Sequence, residues 1–292
     1  MNVKSIVRAW DRYWFAPGSA ESLALVRIAC YTLCFFIYLN LDIRPWAGVS
    51  HVFWMPVSLF RLLFGPPQKA AFLGLLQILW KVSLLTSAIG LASRASLLTA
   101  GILGFFVLGL PNCYGKILHL DGIVVLILLI LAISRCNEAY TVDRLFWKPA
   151  PPPTRPSGDF TWPIKIAQSL FLLVFFAAGF SKLRQSGFAW MDPENMRAIL
   201  TSNLFSHAPP TRWAVSLAKS DAFCSFAAYA TVVVELSALP AIFLRALRVP
   251  GLIALAVLQA AISLLMGIHF FPYLVGYALF VPWHKLYPKH HA

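Results

Sequence analysis

Two residues at the ends of apolar segments are of the types that acid–base chemistry needs. His119 stands near the start of the apolar run 117–134, and Lys182 follows the run 163–180. If both runs cross a membrane in opposite directions, these two residues lie at the same depth and close together. An amine beside an apolar wall loses its proton more readily than in water and acts as a base. A neighbouring imidazole then donates a hydrogen bond to the oxyanion or carbanion that develops.

Further residues predicted on the same face form a candidate substrate- or lipid-binding set: Asp121, Trp190, His51 and His269, with His207 beside them. A simpler interpretation stays open. A lysine at the end of a span commonly anchors the helix by extending to the headgroups, and an interfacial histidine is commonly just hydrogen-bonded. Aromatic residues at this depth also form an ordinary interfacial belt.

Three charged residues inside apolar runs need a reason, because an ionisable group within a membrane is costly. Arg27 lies one to two turns into its run, and we expect its guanidinium to extend to the headgroups. Lys81 and Glu235 lie near the middle of their runs. We expect Glu235 to pair with Lys81 or with Arg27 in a buried charge network, since pairing is how such groups persist inside a membrane. A proton relay is the functional alternative.

The composition places all of these residues in a membrane protein. Of 292 residues, 59% are hydrophobic and only 12% are charged, against about 25% charged in a typical soluble domain. So few charged residues cannot cover the surface of a soluble globule of this size. This excludes a cytosolic enzyme, a disordered chain and a nucleic-acid-binding module. Long apolar runs without alternation exclude an outer-membrane barrel. The sequence predicts an all-α fold, a polytopic membrane helix bundle.

About eight spans follow from this pattern, since each needs roughly 20 apolar residues. They are 22–41, 70–92, 95–112, 117–134, 163–180, 222–244, 249–268 and 270–283. The last run is short and contains Pro272 and Gly276, which predicts a tilted span or a re-entrant segment. With eight spans both ends of the chain share a side. The excess of Lys and Arg on that side predicts cytoplasmic termini.

Three segments outside the spans are predicted to lie at the membrane surface. Residues 1–21 contain a short amphipathic helix that ends before Pro17, with its basic residues on a different face from its apolar ones. Residues 147–162 form a stiff, proline-rich connection. Residues 181–221 form an extramembrane loop with short interfacial helices, since about 40 residues cannot build a large core.

Several kinds of site have no support in the sequence. The five cysteines are scattered without metal-like spacing, so neither a disulfide framework nor a metal site is predicted. No Ser-His-Asp arrangement, phosphate loop, zinc-protease motif or flavin fingerprint is present. The net charge of +13 fits topology and contact with anionic headgroups, so membrane lipids rather than nucleic acid are the predicted partners.

Short segments along nearly the whole chain are similar, in order, to those of a known family. They are DRYWFAP at 11–17, LALVRI at 23–28, GLASRA at 90–95, FFAAGFSKL at 175–183 with Trp190 beyond it, VEL at 234–236, and LLMGI at 264–268 with Phe271 and Pro272. By these segments the chain resembles the HTTM (horizontally transferred transmembrane) proteins, whose membrane domain is shared with vitamin K-dependent gamma-glutamyl carboxylase. The resemblance implies one domain of this kind over 1–292.

The resemblance also implies a reaction and two residues for it. In the carboxylase, a lysine in an Ala-Gly-x-x-Lys-Leu stretch is the base that deprotonates vitamin K hydroquinone, which then reacts with oxygen. Lys182 matches that lysine, and His119 is a looser match to a histidine that assists the carbanion step. The implied cofactors are a quinol-like lipid and O2, without a metal. The carboxylase's large extramembrane region has no counterpart here, so full glutamate carboxylation is not expected.

Three hypotheses on function follow. The first is an enzyme that oxidises or epoxidises a hydroquinone-like lipid with oxygen, with Lys182 as the base. The second is a non-catalytic protein of the same fold that binds lipid or anchors a membrane or redox partner protein. The third is a small transporter, suggested by Lys81 and Glu235 in the middle of the membrane. The transporter ranks last because the sequence has no internal repeat.

Overall fold

The computed structural model describes residues 3–57, 59–67, 69–115, 119–147, 155–202 and 211–286. Its helices are α1 (Val3–Trp14), α2 (Ala20–Ile37), α3 (Phe60–Leu63), α4 (Ala70–Ile89), α5 (Ser93–Gly109), α6 (His119–Ile133), α7 (Asp143–Trp147), α8 (Trp162–Ser186), α9 (Pro193–Thr201), α10 (Arg212–Leu217), α11 (Asp221–Phe243), α12 (Arg245–Met266), α13 (Tyr273–Ala278) and α14 (Trp283–Leu286). The described ranges contain no strand, only an isolated bridge between Gly18 and Ser157. The all-α prediction is confirmed.

Within the described ranges, six helical segments are long and apolar enough to cross a membrane. They are Ala20–Ile37, Ala70–Ile89, Ser93–Cys113, Gly158–Met191, Asp221–Phe243 and Arg245–Met266. A further apolar helix, Leu120–Ile133, is shorter. These segments match the predicted spans from 22–41 to 249–268, so the prediction of a polytopic helical membrane protein is confirmed.

The predicted last span, 270–283, contains only the six-residue helix α13. At about 1.5 Å per residue such a helix is far shorter than the membrane core. The short, re-entrant form of the prediction therefore fits this segment better than a complete crossing. Helix α13 packs against α2 and α6. The side of the membrane on which the termini lie stays a prediction.

The chain divides into two compact units, Met1–Gln168 with Pro272–Ala292, and Ser169–Phe271. In the first unit α4 packs against α2 and α5, and α5 packs against α6. The polar atoms of buried aromatic side chains form hydrogen bonds between these helices. Trp80 donates to the carbonyl oxygen of Ala100 at 3.1 Å, and the Tyr31 hydroxyl donates to that of Leu128 at 3.2 Å. Away from water, a buried indole or phenol needs such an acceptor.

In the second unit α11 packs against α9 and α12. The short helices α9 and α10 bury their apolar side chains against the first half of α11. The shared cluster consists of Met191, Met196, Leu200, Ala214, Ala218, Cys224, Ala228 and Val232. Helix α8 ends at Ser186, beyond the predicted end at 180. Lys182 therefore lies within a helix and has a fixed direction, rather than following the helix in a loop.

The segments predicted to lie at the surface take several forms. Helix α1 exposes Ile6, Val7 and Trp10, as an interfacial helix does. In the proline-rich connection, residues 148–154 lie outside the described residues. The segment 181–221 contains α9 and α10, and its residues 203–210, with His207, are also outside the described part. The prediction of a single domain over 1–292 stays a prediction.

Candidate functional site: a lysine–glutamate pair

Lys182 on α8 and Glu235 on α11 form an ion pair in the second unit. The Lys182 Nζ donates to Glu235 Oε1 at 2.7 Å and to Oε2 at 2.6 Å. The side chains are 23% and 9% exposed, respectively. Two charges with so little water around them are costly unless they are paired and hydrogen-bonded. The contact therefore joins the middle of α11 to the last turns of α8.

Two features of the sequence bring these side chains together. Gly179 and Lys182 are three residues apart and so share one face of α8. A Cβ atom built on Gly179 would lie 2.8 Å from the Cβ of Glu235, closer than atoms of packed side chains approach. The missing side chain at Gly179 thus allows α11 to come close enough for Glu235 to reach the lysine.

An aromatic ring covers the amine. The Lys182 Nζ lies 5.2 Å from the centre of the Trp190 ring, within the range of a cation–π contact. Trp190 belongs to the short helix Gly187–Met191 that follows α8, and Asn195 donates to its carbonyl oxygen at 2.8 Å. The ammonium group is thus held by a carboxylate and a ring face together.

A groove of about 650 Å³ also runs along α8. It is lined by Leu173, Phe176, Ala177, Phe180, Ser181, Arg184 and Gln185. At 100° per residue this stripe lies on the face of α8 opposite Gly179 and Lys182. The groove therefore does not bring a ligand onto the lysine amine.

The other residues of the predicted site lie in different surroundings. Asp121 Oδ1 accepts a hydrogen bond from the Tyr38 hydroxyl at 2.5 Å, which joins the start of α6 to the end of α2. His51 is exposed in a short helix, and His269 is exposed and stacked on Phe271 with 5.4 Å between ring centres.

His119 is the first residue of α6, as expected for a histidine at the start of a span. Its side chain lies outside the described residues, so its predicted proximity to Lys182 stays a prediction.

The predicted network of Arg27, Lys81 and Glu235 is wrong in its pairing, because both carboxylate oxygens of Glu235 accept from Lys182. Lys81 donates to the carbonyl oxygens of Leu39 and Leu41, both at 2.8 Å. Both carbonyls belong to the segment that follows α2.

Arg27 does not extend to the headgroups either, because its side chain is completely buried. Its guanidinium donates to the carbonyl oxygens of Cys136, Ala139 and Tyr140 at 2.9, 3.4 and 2.6 Å. This role could not be predicted from residue types, because every residue carries a backbone carbonyl and the sequence does not indicate which of them face Arg27.

Over the described residues, no group of three or more His, Cys, Asp or Glu is arranged to hold a metal ion. The five cysteines are free and buried. The polar groups that the structure brings together at this site are thus the Lys182 amine and the Glu235 carboxylate.

A family model described as the HTTM domain matches residues 15–283, nearly the whole chain. No curated protein and no solved structure matches this chain. The family match agrees with the order of the short segments along the sequence and with the apolar helices of the structure. The chain belongs to the HTTM family and is a multi-pass membrane protein related to the membrane domain of the vitamin K-dependent carboxylase.

Proposed function

We propose that this protein binds a hydroquinone-type lipid and promotes its oxidation or epoxidation by O2, with Lys182 as the base. The observation that carries the proposal is the ion pair, in which the Lys182 amine lies 2.6 and 2.7 Å from the two oxygens of Glu235. The resemblance in sequence adds support, because Lys182 in the stretch AAGFSKL at 177–183 is similar to the lysine that acts as the carboxylase's base.

A lysine accepts a proton only when its amine is neutral. The Glu235 carboxylate is the acceptor through which Lys182 can lose its proton, and the hydrogen bond along which this proton moves already exists. Neutral amine and neutral acid together carry the same charge as the ion pair, so the step brings no net charge into the membrane. The amine then takes a proton from a hydroquinone hydroxyl.

The overall reaction balances without a metal. Two electrons and two protons pass from the hydroquinone to O2, giving quinone and hydrogen peroxide. In the epoxidation, one oxygen atom enters the ring and the other leaves as water. Continued turnover needs a reductant for the oxidised lipid, which a membrane or redox partner protein supplies.

A non-catalytic, lipid-binding protein is the alternative, and one observation favours it. Lys182 and Glu235 already satisfy each other, as a purely structural pair between two helices would. The transporter hypothesis, suggested by Lys81 and Glu235 in the middle of the membrane, gains no specific support. Both have partners in the structure.

Oxygen uptake by the purified full chain in lipid nanodiscs, with vitamin K hydroquinone added, tests the proposal. Lys182→Ala lowers the rate by about 100-fold, the size of a general-base contribution. Lys182→Arg separates structure from chemistry, because arginine keeps a cation on Glu235 but does not give up its proton. It leaves the protein folded and inactive.

The matched control is Lys219→Ala, which removes an exposed lysine of the same unit and leaves the rate unchanged. Wild-type rates in Lys182→Ala would remove this residue from the mechanism. A quinone lipid that co-purifies with the wild type, without any oxygen uptake, would establish the non-catalytic alternative.

A further inference from the structure

An aromatic cavity lies in the first unit, between α1 and the start of α8. Its volume is about 400 Å³, and its lining consists of Trp10, Trp14, Phe15, Asp159, Trp162 and Ile166. Three indole rings and a phenyl ring thus line a recess that is open to the outside, together with one carboxylate. None of these residues belongs to the Lys182–Glu235 pair, so the cavity is independent of the proposed reaction.

Local structure holds the two sides of the cavity together. Gly18 and Ser157 exchange two backbone hydrogen bonds of 3.0 and 2.9 Å, which fastens the segment after α1 to the segment before α8. A Cβ atom on Gly158 would lie 2.8 Å from the carbonyl oxygen of Phe15, so only glycine allows this approach. The cavity is therefore built by backbone pairing and does not depend on flexible side chains alone.

The aromatic side chains converge because of helical spacing. Trp10 and Trp14 are four residues apart on α1, with 5.4 Å between their ring centres. Trp162 and Ile166 are four residues apart on α8, and residues with this spacing lie on one face of a helix. The Trp14 indole nitrogen is buried and donates to no acceptor in the described chain, so packing alone holds this ring.

Two described cations near the cavity lie over aromatic rings that do not line it. Arg135 lies 5.4 Å from the centre of the Phe160 ring, and Lys165 lies 5.1 Å from that of Tyr13. Over Trp10, Trp14 and Trp162 no Lys or Arg of the described ranges is placed.

Asp159 supplies the negative charge of the cavity. Its Oδ2 accepts from Arg135 at 2.7 Å, while its Oδ1 accepts no hydrogen bond from the residues that the structure describes. The side chain is 51% exposed. The cavity thus combines aromatic side chains with a carboxylate oxygen, a combination that attracts a cation.

We infer that this cavity binds the ammonium headgroup of a zwitterionic phospholipid. Aromatic faces combined with a carboxylate recognise alkylated or primary ammonium groups. A lipid is the occupant, rather than a soluble amine, because the cavity adjoins the start of the membrane-spanning segment Gly158–Met191. The exposed apolar residues of α1 also place this helix at the lipid interface.

Native mass spectrometry of the full chain, titrated with dioleoyl-phosphatidylcholine or dioleoyl-phosphatidylglycerol, tests the inference. The wild type retains phosphatidylcholine about tenfold more tightly, and replacing Trp10, Trp14 and Trp162 by leucine removes this preference. The matched control is Trp213→Leu, which removes a 74% exposed tryptophan of α10 and keeps the preference.

A second pair of variants keeps the test valid if the triple variant does not fold. Asp159→Asn and Glu138→Gln each remove a carboxylate partner of Arg135, but only the first changes the cavity. Asp159→Asn therefore weakens phosphatidylcholine retention several-fold, and Glu138→Gln does not.

Three results would overturn the inference. They are equal retention of the two lipids by the wild type, an unchanged preference in Asp159→Asn, and competition by soluble phosphocholine as strong as that by the lipid. The last result would assign the cavity to a soluble ligand.

Discussion

Arg27 and Lys182 are both cations within membrane-spanning helices, yet their partners differ in kind. Arg27, in the first unit, is fully buried and donates only to backbone carbonyl oxygens. Lys182, in the second unit, keeps 23% of its side chain exposed and donates to the carboxylate of Glu235. A backbone carbonyl does not take up a proton, and a guanidinium does not release one. Arg27 therefore stabilises the fold, whereas Lys182 has a partner that can accept a proton.

The largest expected effect comes from Arg27→Met. The substitution leaves three carbonyl oxygens of one loop without donors, and we expect it to lower the free energy of unfolding by about 4 kcal/mol. Unfolding of the purified protein in sodium dodecyl sulfate measures this change. Activity per folded molecule should stay at the wild-type level. A marked loss of oxygen uptake in well-folded Arg27→Met would break the comparison.

Glu235→Leu tests the Lys182–Glu235 pair, the second member of the comparison. It leaves the Lys182 ammonium without its partner and should cost about 3 kcal/mol. The double variant Lys182→Met with Glu235→Leu should recover most of that stability, because two apolar side chains replace an ion pair without leaving a buried charge. A double-mutant cycle of unfolding free energies measures the coupling. A loss in the double variant equal to the sum of the losses in Lys182→Met and Glu235→Leu would show that the pair does not couple.

Gly179→Ala tests how closely α8 and α11 must approach each other. The added methyl group would lie 2.8 Å from the Cβ of Glu235, so one helix must shift, at a cost of about 2 kcal/mol. We expect oxygen uptake to fall as well, since the Lys182–Glu235 distance changes. Gly48→Ala is a suitable control, because a Cβ atom there meets no atom within 4 Å.

The smallest expected effect concerns Asp143, an acidic group of the first unit that lies outside the spans. It accepts from the backbone nitrogens of Ala92 and Ser93 at 2.7 and 2.8 Å and from the Ser93 hydroxyl, and so caps α5. Removing such a cap costs about 1 kcal/mol. We therefore expect Asp143→Asn to destabilise the protein slightly at neutral pH.

The pH dependence of this effect follows from the pKa of Asp143. Partial burial raises the pKa, but the hydrogen bonds from Ser93 and Ala92 outweigh it and hold the pKa below its ordinary 3.8. A lowered folded-state pKa gives stability that is present above 3.8 and is lost as the pH falls through the folded value. Melting temperatures of the wild type and of Asp143→Asn between pH 3 and pH 7 measure this pH-dependent contribution to stability. The variant should lack it. A constant difference between wild type and variant at all pH values would contradict the capping role.

Most of the fold could be predicted from the sequence, because apolar run length decides which helices span a membrane. The predicted run 70–92 became Ala70–Ile89, and 222–244 became Asp221–Phe243. The end of α8 was less predictable. Polar residues after 180 looked like a loop, but packing in the second unit extends the helix to Ser186.

The candidate site was predictable only in part. Lys182 and Trp190 were identified and do meet in the structure. Glu235 was identified as a mid-span charge but was assigned the wrong partners. The spacing of Gly179 and Lys182 was a signal that could have indicated the correct pair. Gly179 lies on the same face of α8 as Lys182, and its missing side chain allows α11 to approach that face closely.

Composition and apolar run length place this protein in a membrane, locate its helices and identify the residues of a type to move protons. Composition and local spacing suffice for these features, because they depend on neighbours along the chain. Which charges meet, in contrast, depends on the three-dimensional packing. Arg27 donates to a loop more than 100 residues away, and Lys182 to a helix 53 residues away. The rotation and depth of each helix determine such contacts, and these depend on packing between distant segments.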